Sequence, residues 1–135
     1  MSQVGNRHFT TRLRTLKEIG RLQGFIAEDV YPIDIGKLDV TWRRVEKGVP
    51  TYAFEIHIGG DLYHDMSKLK HAHDLWNSNL FLITTEKDIN KVQQLLSGTF
   101  HEIRDKVRVI DAEKIRTLYL KKKDYKDFER QLGIL

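Results

Sequence analysis

Two carboxylates and an imidazole sit in neighbouring segments that both read as β-strands. The stretch GKLDVTW, Gly36–Trp42, carries Asp39, and YAFEIHI, Tyr52–Ile58, carries Glu55 and His57. Side chains along a strand alternate between its two faces. Leu38, Val40 and Trp42 therefore oppose Asp39, Thr41 and Arg43, and Tyr52, Phe54, Ile56 and Ile58 oppose Glu55 and His57. If a hairpin pairs the two segments, the apolar sides share a core. Asp39, Glu55 and His57 then share the other surface. Two carboxylates brought together repel each other unless a cation lies between them. Hard oxygen ligands suit Mg²⁺ or Mn²⁺. His57 is then a further ligand, or a proton acceptor near neutral pH.

The elements that must position these groups follow from local patterns. Leu13, Leu16, Ile19 and Leu22 form a helical stripe in Thr10–Gln23, and Gly24 follows as a C-cap. Phe25–Tyr31 reads as a strand stopped by Pro32, and Lys37–Arg43 as a strictly alternating one. Val45–Pro50, with Gly48 and Pro50, predicts a turn into the strand Thr51–Ile58, which Gly59 and Gly60 break. Asp61 caps a helix whose stripe runs Leu62, Met66, Leu69 and Trp76. The apolar run Asn79–Thr84 suits a strand covered on both faces. Thr85 starts a helix with Ile89, Val92, Leu95 and Leu96 buried, Lys106–Ile110 is the last strand, and Asp111 caps a final helix. The run KKKD at Lys121–Asp124 is expected to interrupt that helix, with a further segment carrying Phe128 and Leu132. The sum is an α/β fold with a mixed sheet flanked by helices on both sides.

The 135 residues fit one domain, with a core at about 10–110 and a C-terminal helical extension at 111–135. The chain has no cysteine, which excludes disulfide frameworks, thiolate metal sites and cysteine nucleophiles. The run MSQVGNRHF lacks the apolar core of a signal peptide, and no apolar run approaches the roughly 18 residues of a membrane span, so no membrane partner and a cytoplasmic location are expected. Lys and Arg number 23 against 19 acidic residues, a net charge of +4 that favours an anionic partner. Gly59-Gly60 lacks the Lys and Ser/Thr of a phosphate-cradling loop, and His71 and His73, two apart on a helix, make a poor chelate.

GKLDVTW, AFEIH and the helix with KLKHAHDL, in an α-β-β-β-α-β order, resemble the PD-(D/E)xK phosphodiesterase superfamily. This is the restriction-endonuclease-like fold, and the similarity is to small archaeal endonuclease-like domains and Holliday-junction resolvases in particular. The resemblance covers roughly residues 10 to 110. It implies that Asp39 and Glu55 are the acidic metal ligands, with the main-chain carbonyl of Ile56 as a third contact. The family lysine falls at His57, which is then a ligand or base. Lys68 on the following helix takes the cationic role, with Lys70 as second choice, and Glu18 is the candidate acid on the first helix. The implied reaction is Mg²⁺- or Mn²⁺-dependent hydrolysis of DNA phosphodiesters in repair, recombination or restriction. Arg12, Arg14, Lys17, Arg21, Arg43, Arg44, Lys70 and His71 would contact the nucleic acid, chiefly its phosphates, and a homodimer would cut two strands. Histidine in place of lysine leaves open a binding module that has lost catalysis. A protein-interaction domain whose carboxylates only form salt bridges is a third reading.

Overall fold

Three alternating segments in succession build an antiparallel meander, and two later apolar strands extend it through helical crossovers. The computed structural model describes residues 3–34 and 36–135, the first four of these by their backbone alone; Met1 and Ser2 of the MSQVGNRHF stretch lie outside it. Helix α1 spans Gln3–Leu22, and strands β1, β2 and β3 span Ile26–Ile33, Gly36–Arg43 and Tyr52–Ile56. Helix α2, Leu62–Trp76, leads to β4, Asn79–Thr84. Helix α3, Ile89–Ser97, leads to β5, Val107–Asp111, and α4 is Ala112–Gln131. The sheet order is β1-β2-β3-β4-β5. The first two pairings are antiparallel and the last two parallel, as hairpins and helical crossovers require.

Two cores lie on opposite faces of this sheet. Leu16 and Ile19 of α1 and Ala112 and Ile115 of α4 bury against Val40, Trp42, Phe54, Ile56 and Ile83. Leu62, Met66 and Leu69 of α2 and Val92 and Leu96 of α3 bury against Leu38, Ala53, Leu80 and Leu82. Trp42 shows why α1 carries a glycine in its interior. The indole Nε1–H donates to the Leu16 carbonyl at 3.1 Å, and a Cβ on Gly20 would come within 2.5 Å of the ring. Phe25, Trp42, Tyr52, Phe54 and Phe81 continue that face as a contiguous aromatic cluster.

Several local expectations hold. Gly24 has φ +86° after α1, and Gly59 and Gly60 have φ +96° and +82° between β3 and α2. Asp61 accepts a hydrogen bond from the His64 N–H, and Asp111 from the Glu113 N–H, as N-caps do.

Others need correction. Pro32 does not stop β1; it pairs with Lys37, and β1 is an edge strand where the missing N–H costs no ladder bond. The KKKD run does not interrupt α4, because lysine propagates a helix well and only Gly133, at φ +75°, ends it. Nor are residues 111–135 a simple appendage, since Ala112 and Ile115 belong to the core. The alternation of Lys37–Arg43 also breaks. Val30 adopts a left-handed φ of +46°, and the β1–β2 ladder skips from Asp29↔Val40 to Tyr31↔Leu38. On either side of that point the faces exchange. Val40 and Trp42 enter the α1-side core, whereas Leu38 and Ile33 enter the α2-side core. A β-branched residue in this region is sterically strained, and the position it skips on β2 is Asp39.

Candidate functional site

The hairpin register puts Asp39 beside Glu55. Val40 pairs with Phe54 in an antiparallel register, so the preceding position on β2, Asp39, faces the next on β3, Glu55. The two carboxylates are woven into the gap between the strands. The Ile56 N–H donates to Asp39 Oδ2 at 2.8 Å, and the Asp39 N–H donates to Glu55 Oε2 at 3.2 Å. Each acid thus replaces a ladder carbonyl as the acceptor of a backbone donor, which satisfies groups that the twist would otherwise leave unpaired.

Glu55 is fully buried on the α2 side of the sheet, and Lys68, one of the buried residues of α2, reaches it. The Lys68 ammonium ion-pairs with Glu55 Oε1 and donates to the Lys37 carbonyl at 2.9 Å. Burial, and after it the adjoining Asp39 carboxyl, push the Glu55 carboxyl up to about 10, outweighing the pull of Lys68 in the other direction. Burial by itself would lower the Lys68 ammonium, but the surrounding acids, Glu55 foremost with Asp39 and Asp65, together hold Lys68 above its usual value. Asp39, Glu55 and Lys68 form one electrostatic unit in which two acids share one cation.

His57 has a different role from its neighbours. It lies just beyond β3, its N–H donates to the Ile83 carbonyl at 2.8 Å, and its ring is 1% exposed. Nδ1 meets Asp65 Oδ2 at 3.0 Å and Nε2 meets Asp88 Oδ2 at 3.6 Å. Both ring nitrogens face carboxylates on opposite sides of the imidazole. The ring ties the end of β3 to the first turn of α2 and to the turn Glu86–Asp88 that leads into α3. Nδ1 is taken up by Asp65, so the ring makes its contacts with α2 and the Glu86–Asp88 turn rather than with Asp39.

The other expected residues are dispersed. Glu18 bonds Arg21 on its own helix at 2.8 Å, and α1 packs on the opposite face of the sheet from Lys68, so Glu18 does not join the cluster. Lys17 meets Asp29 at 3.5 Å, and Arg43 forks onto Glu28. Lys70 pairs with Asp74 and Glu102, and His71 with Asp34. Arg14 and Arg44 are exposed, and Arg12 is half-buried with its Nη1 shielded from solvent. Ile56 contributes its N–H to Asp39 and its side chain to the α1-side core.

Reading the sequence missed Asp65 and Asp88. Asp65 carries a usable signal, since it lies three residues before Lys68 and so on the same flank of α2. Asp88 carries none, because only the packing of the β4–α3 turn brings it to His57.

The chemistry of the donors bears on a metal ion. Two carboxylates converge, one of them strongly destabilised as an anion, and a hard divalent cation would relieve that repulsion. Asp39 and Glu55 fit such an ion provided that Lys68 yields its place on Glu55. His57 makes its ring contacts with Asp65 and Asp88 instead. Among the described residues, no group of three or more His, Asp or Glu side chains is arranged to hold a metal. Among them, too, no helix is long and apolar enough to cross a membrane. No family model matches the chain, and neither does any curated protein or solved structure.

Proposed function

We propose that this protein is a metal-dependent nuclease-like domain of the PD-(D/E)xK type, acting on the phosphodiester backbone of DNA. The observation that carries this reading is the convergence of Asp39 and Glu55 from adjacent strands, with the Lys68 ammonium set against them from α2. The element order around the pair, α-β-β-β-α-β, supports it. Asp39 and Glu55 would hold Mg²⁺ or Mn²⁺, which when bound lowers the pKa of a water and stabilises charge on phosphate oxygens.

The chain's own groups divide the remaining work. Glu55, gripped by the Asp39 N–H and by Lys68, fixes the spacing between the strands. Asp39 is half-buried and is the acid of the pair that solvent can reach. Lys68 supplies the cation that the superfamily resemblance expects at position 57, and can balance charge at a scissile phosphate once released from Glu55. His57 holds α2 through Asp65 and so keeps Lys68 in register with Glu55. Exposed Arg14 and Arg44 are suited to contacts with backbone phosphates, which give affinity without sequence information.

The test is cleavage of duplex and branched DNA with Mg²⁺ or Mn²⁺, comparing the wild type with Asp39→Asn and Lys68→Ala. Rates should fall by on the order of a hundredfold or more in each variant. Equal cleavage by Asp39→Asn would exclude this site. The clamped state of His57 favours a second reading, a nucleic-acid-binding module on the same fold without catalysis. Salt-sensitive DNA binding with no cleavage under either ion would select it.

A further inference from the structure

Helices α1 and α4 pack on the same face of the sheet through Leu16, Ile19 and Ile115. Beside that contact a cleft opens between them, lined by Arg12 of α1 and by Glu113, Ile115, Arg116 and Tyr119 of α4. Its volume is about 480 Å³, inside the range of roughly 300–1,000 Å³ typical of small-molecule sites. The two arginines of this lining have no partner in the chain. Among the described residues, the ion pairs of the molecule leave out Arg12, Arg116 and Glu113 alike. Arg12 is half-buried, and its Nη1 is shielded from solvent without a hydrogen-bond partner. A guanidinium does not lose its proton in a protein, so its burial cannot be relieved by neutralisation. The charge is shared across the whole planar group, and an anion at its open edge would offset the cost.

We infer that this cleft binds a small phosphorylated molecule of the nucleoside monophosphate class. Three properties of the lining select that class together. Two arginine forks match the oxygens of a phosphate, to which they can bond in pairs. The Glu113 carboxylate repels a second anionic group but accepts hydrogen bonds from hydroxyls, the role that acidic residues take towards a ribose. Tyr119 and Ile115 add an apolar and aromatic wall against which a flat base can lie. Inorganic phosphate meets only the first of these conditions. The cleft lies on the α1 and α4 side of the sheet, whereas Glu55 and Lys68 face α2, so the inference stands apart from the nuclease reading.

Calorimetric titration of the full chain with adenosine monophosphate, and separately with inorganic phosphate, tests the inference. The nucleotide should bind once per chain, on the order of tenfold more tightly than phosphate. Arg116 is exposed, so Arg116→Gln leaves the core intact and should weaken both probes on the order of tenfold. Glu113→Ala should weaken the nucleotide while leaving phosphate bound at least as tightly as before, a split that damage to the fold would not produce. The nucleotide should raise the thermal transition of the wild type and not that of Arg12→Gln. Asp39→Asn should bind the nucleotide as the wild type does, which separates this site from the proposed nuclease centre. Failure of the wild type to bind either probe overturns the inference, as does binding that Arg116→Gln leaves unchanged. Equal affinity for the nucleotide and for phosphate overturns the assignment to nucleosides. Release of bound nucleotide by duplex DNA at low salt would make the cleft part of a nucleic-acid surface and overturn the small-molecule assignment.

Discussion

The two faces of the sheet bury side chains of opposite character. On the α1 and α4 side, Leu16, Ile19, Trp42, Phe54 and Ile83 make an apolar and aromatic layer, closed by the indole bond to Leu16. On the α2 and α3 side an equally apolar layer gives way, at the end of β3, to Glu55, His57 and Lys68, all buried. Apolar burial stabilises a fold by the area it removes from water. Buried charge carries a desolvation cost that pairing only partly offsets. The apolar layers of both faces therefore contribute stability. The second face carries groups that stability alone does not call for, and it is where the proposed chemistry lies.

The comparison can be broken by mutation, beginning with the largest expected effect. Trp42→Ala should destabilise the protein by about 3–5 kcal/mol through the cavity and the lost indole bond, to a similar extent at pH 6 and pH 9. Urea unfolding at both values measures this. A loss below about 1 kcal/mol would mean that the aromatic layer contributes little to stability. Lys68→Met should cost less, about 1–3 kcal/mol, because it leaves the Lys37 carbonyl without its donor and the buried Glu55 carboxyl without its polar partner. If Lys68→Met is instead stabilising, the pair is retained for function alone, which would sharpen the contrast between the faces.

The last effect is one of slope with pH rather than of stability at one pH. The Glu55 carboxyl is raised to about 10 in the folded protein against 4.5 as its ordinary value. The folded state therefore holds a proton that the unfolded state has released between those limits. The contribution of Glu55 to stability is full below the ordinary value and is lost as pH rises through the folded one. Glu55→Gln should accordingly gain stability relative to wild type as pH goes from 5 to 9. Parallel curves for the two proteins would show that Glu55 is not held protonated by its surroundings.

Much of the frame was legible because it depends on neighbours in the chain. Strand alternation put Glu55 opposite Phe54 and Ile56, and the N-caps Asp61 and Asp111 were visible from their positions before apolar stripes. The hairpin that brings Asp39 to Glu55 was visible in the turn residues Val45–Pro50. Lys68 could be named because it flanks the buried stripe of α2. The clamp on His57 could not, since Asp88 is distant in sequence and has no local pattern of its own. Neither could the exchange of faces at Val30, because valine carries no signal for a left-handed backbone. The KKKD run misled because it interrupts an apolar stripe, whereas a helix ends only where backbone hydrogen bonding does.

By itself the sequence determined the α/β class, the order of the elements and the face on which Glu55 and His57 begin. These follow from periodicity and from steric rules acting within a few residues. Only the tertiary structure decided that Lys68, rather than His57, meets Glu55, that His57 is held by Asp65 and Asp88, and that Glu18 stands on the far side of the sheet. Those outcomes depend on how α2 and the β4–α3 turn dock onto the strands, and the energies that fix such docking come from contacts between residues far apart in the chain.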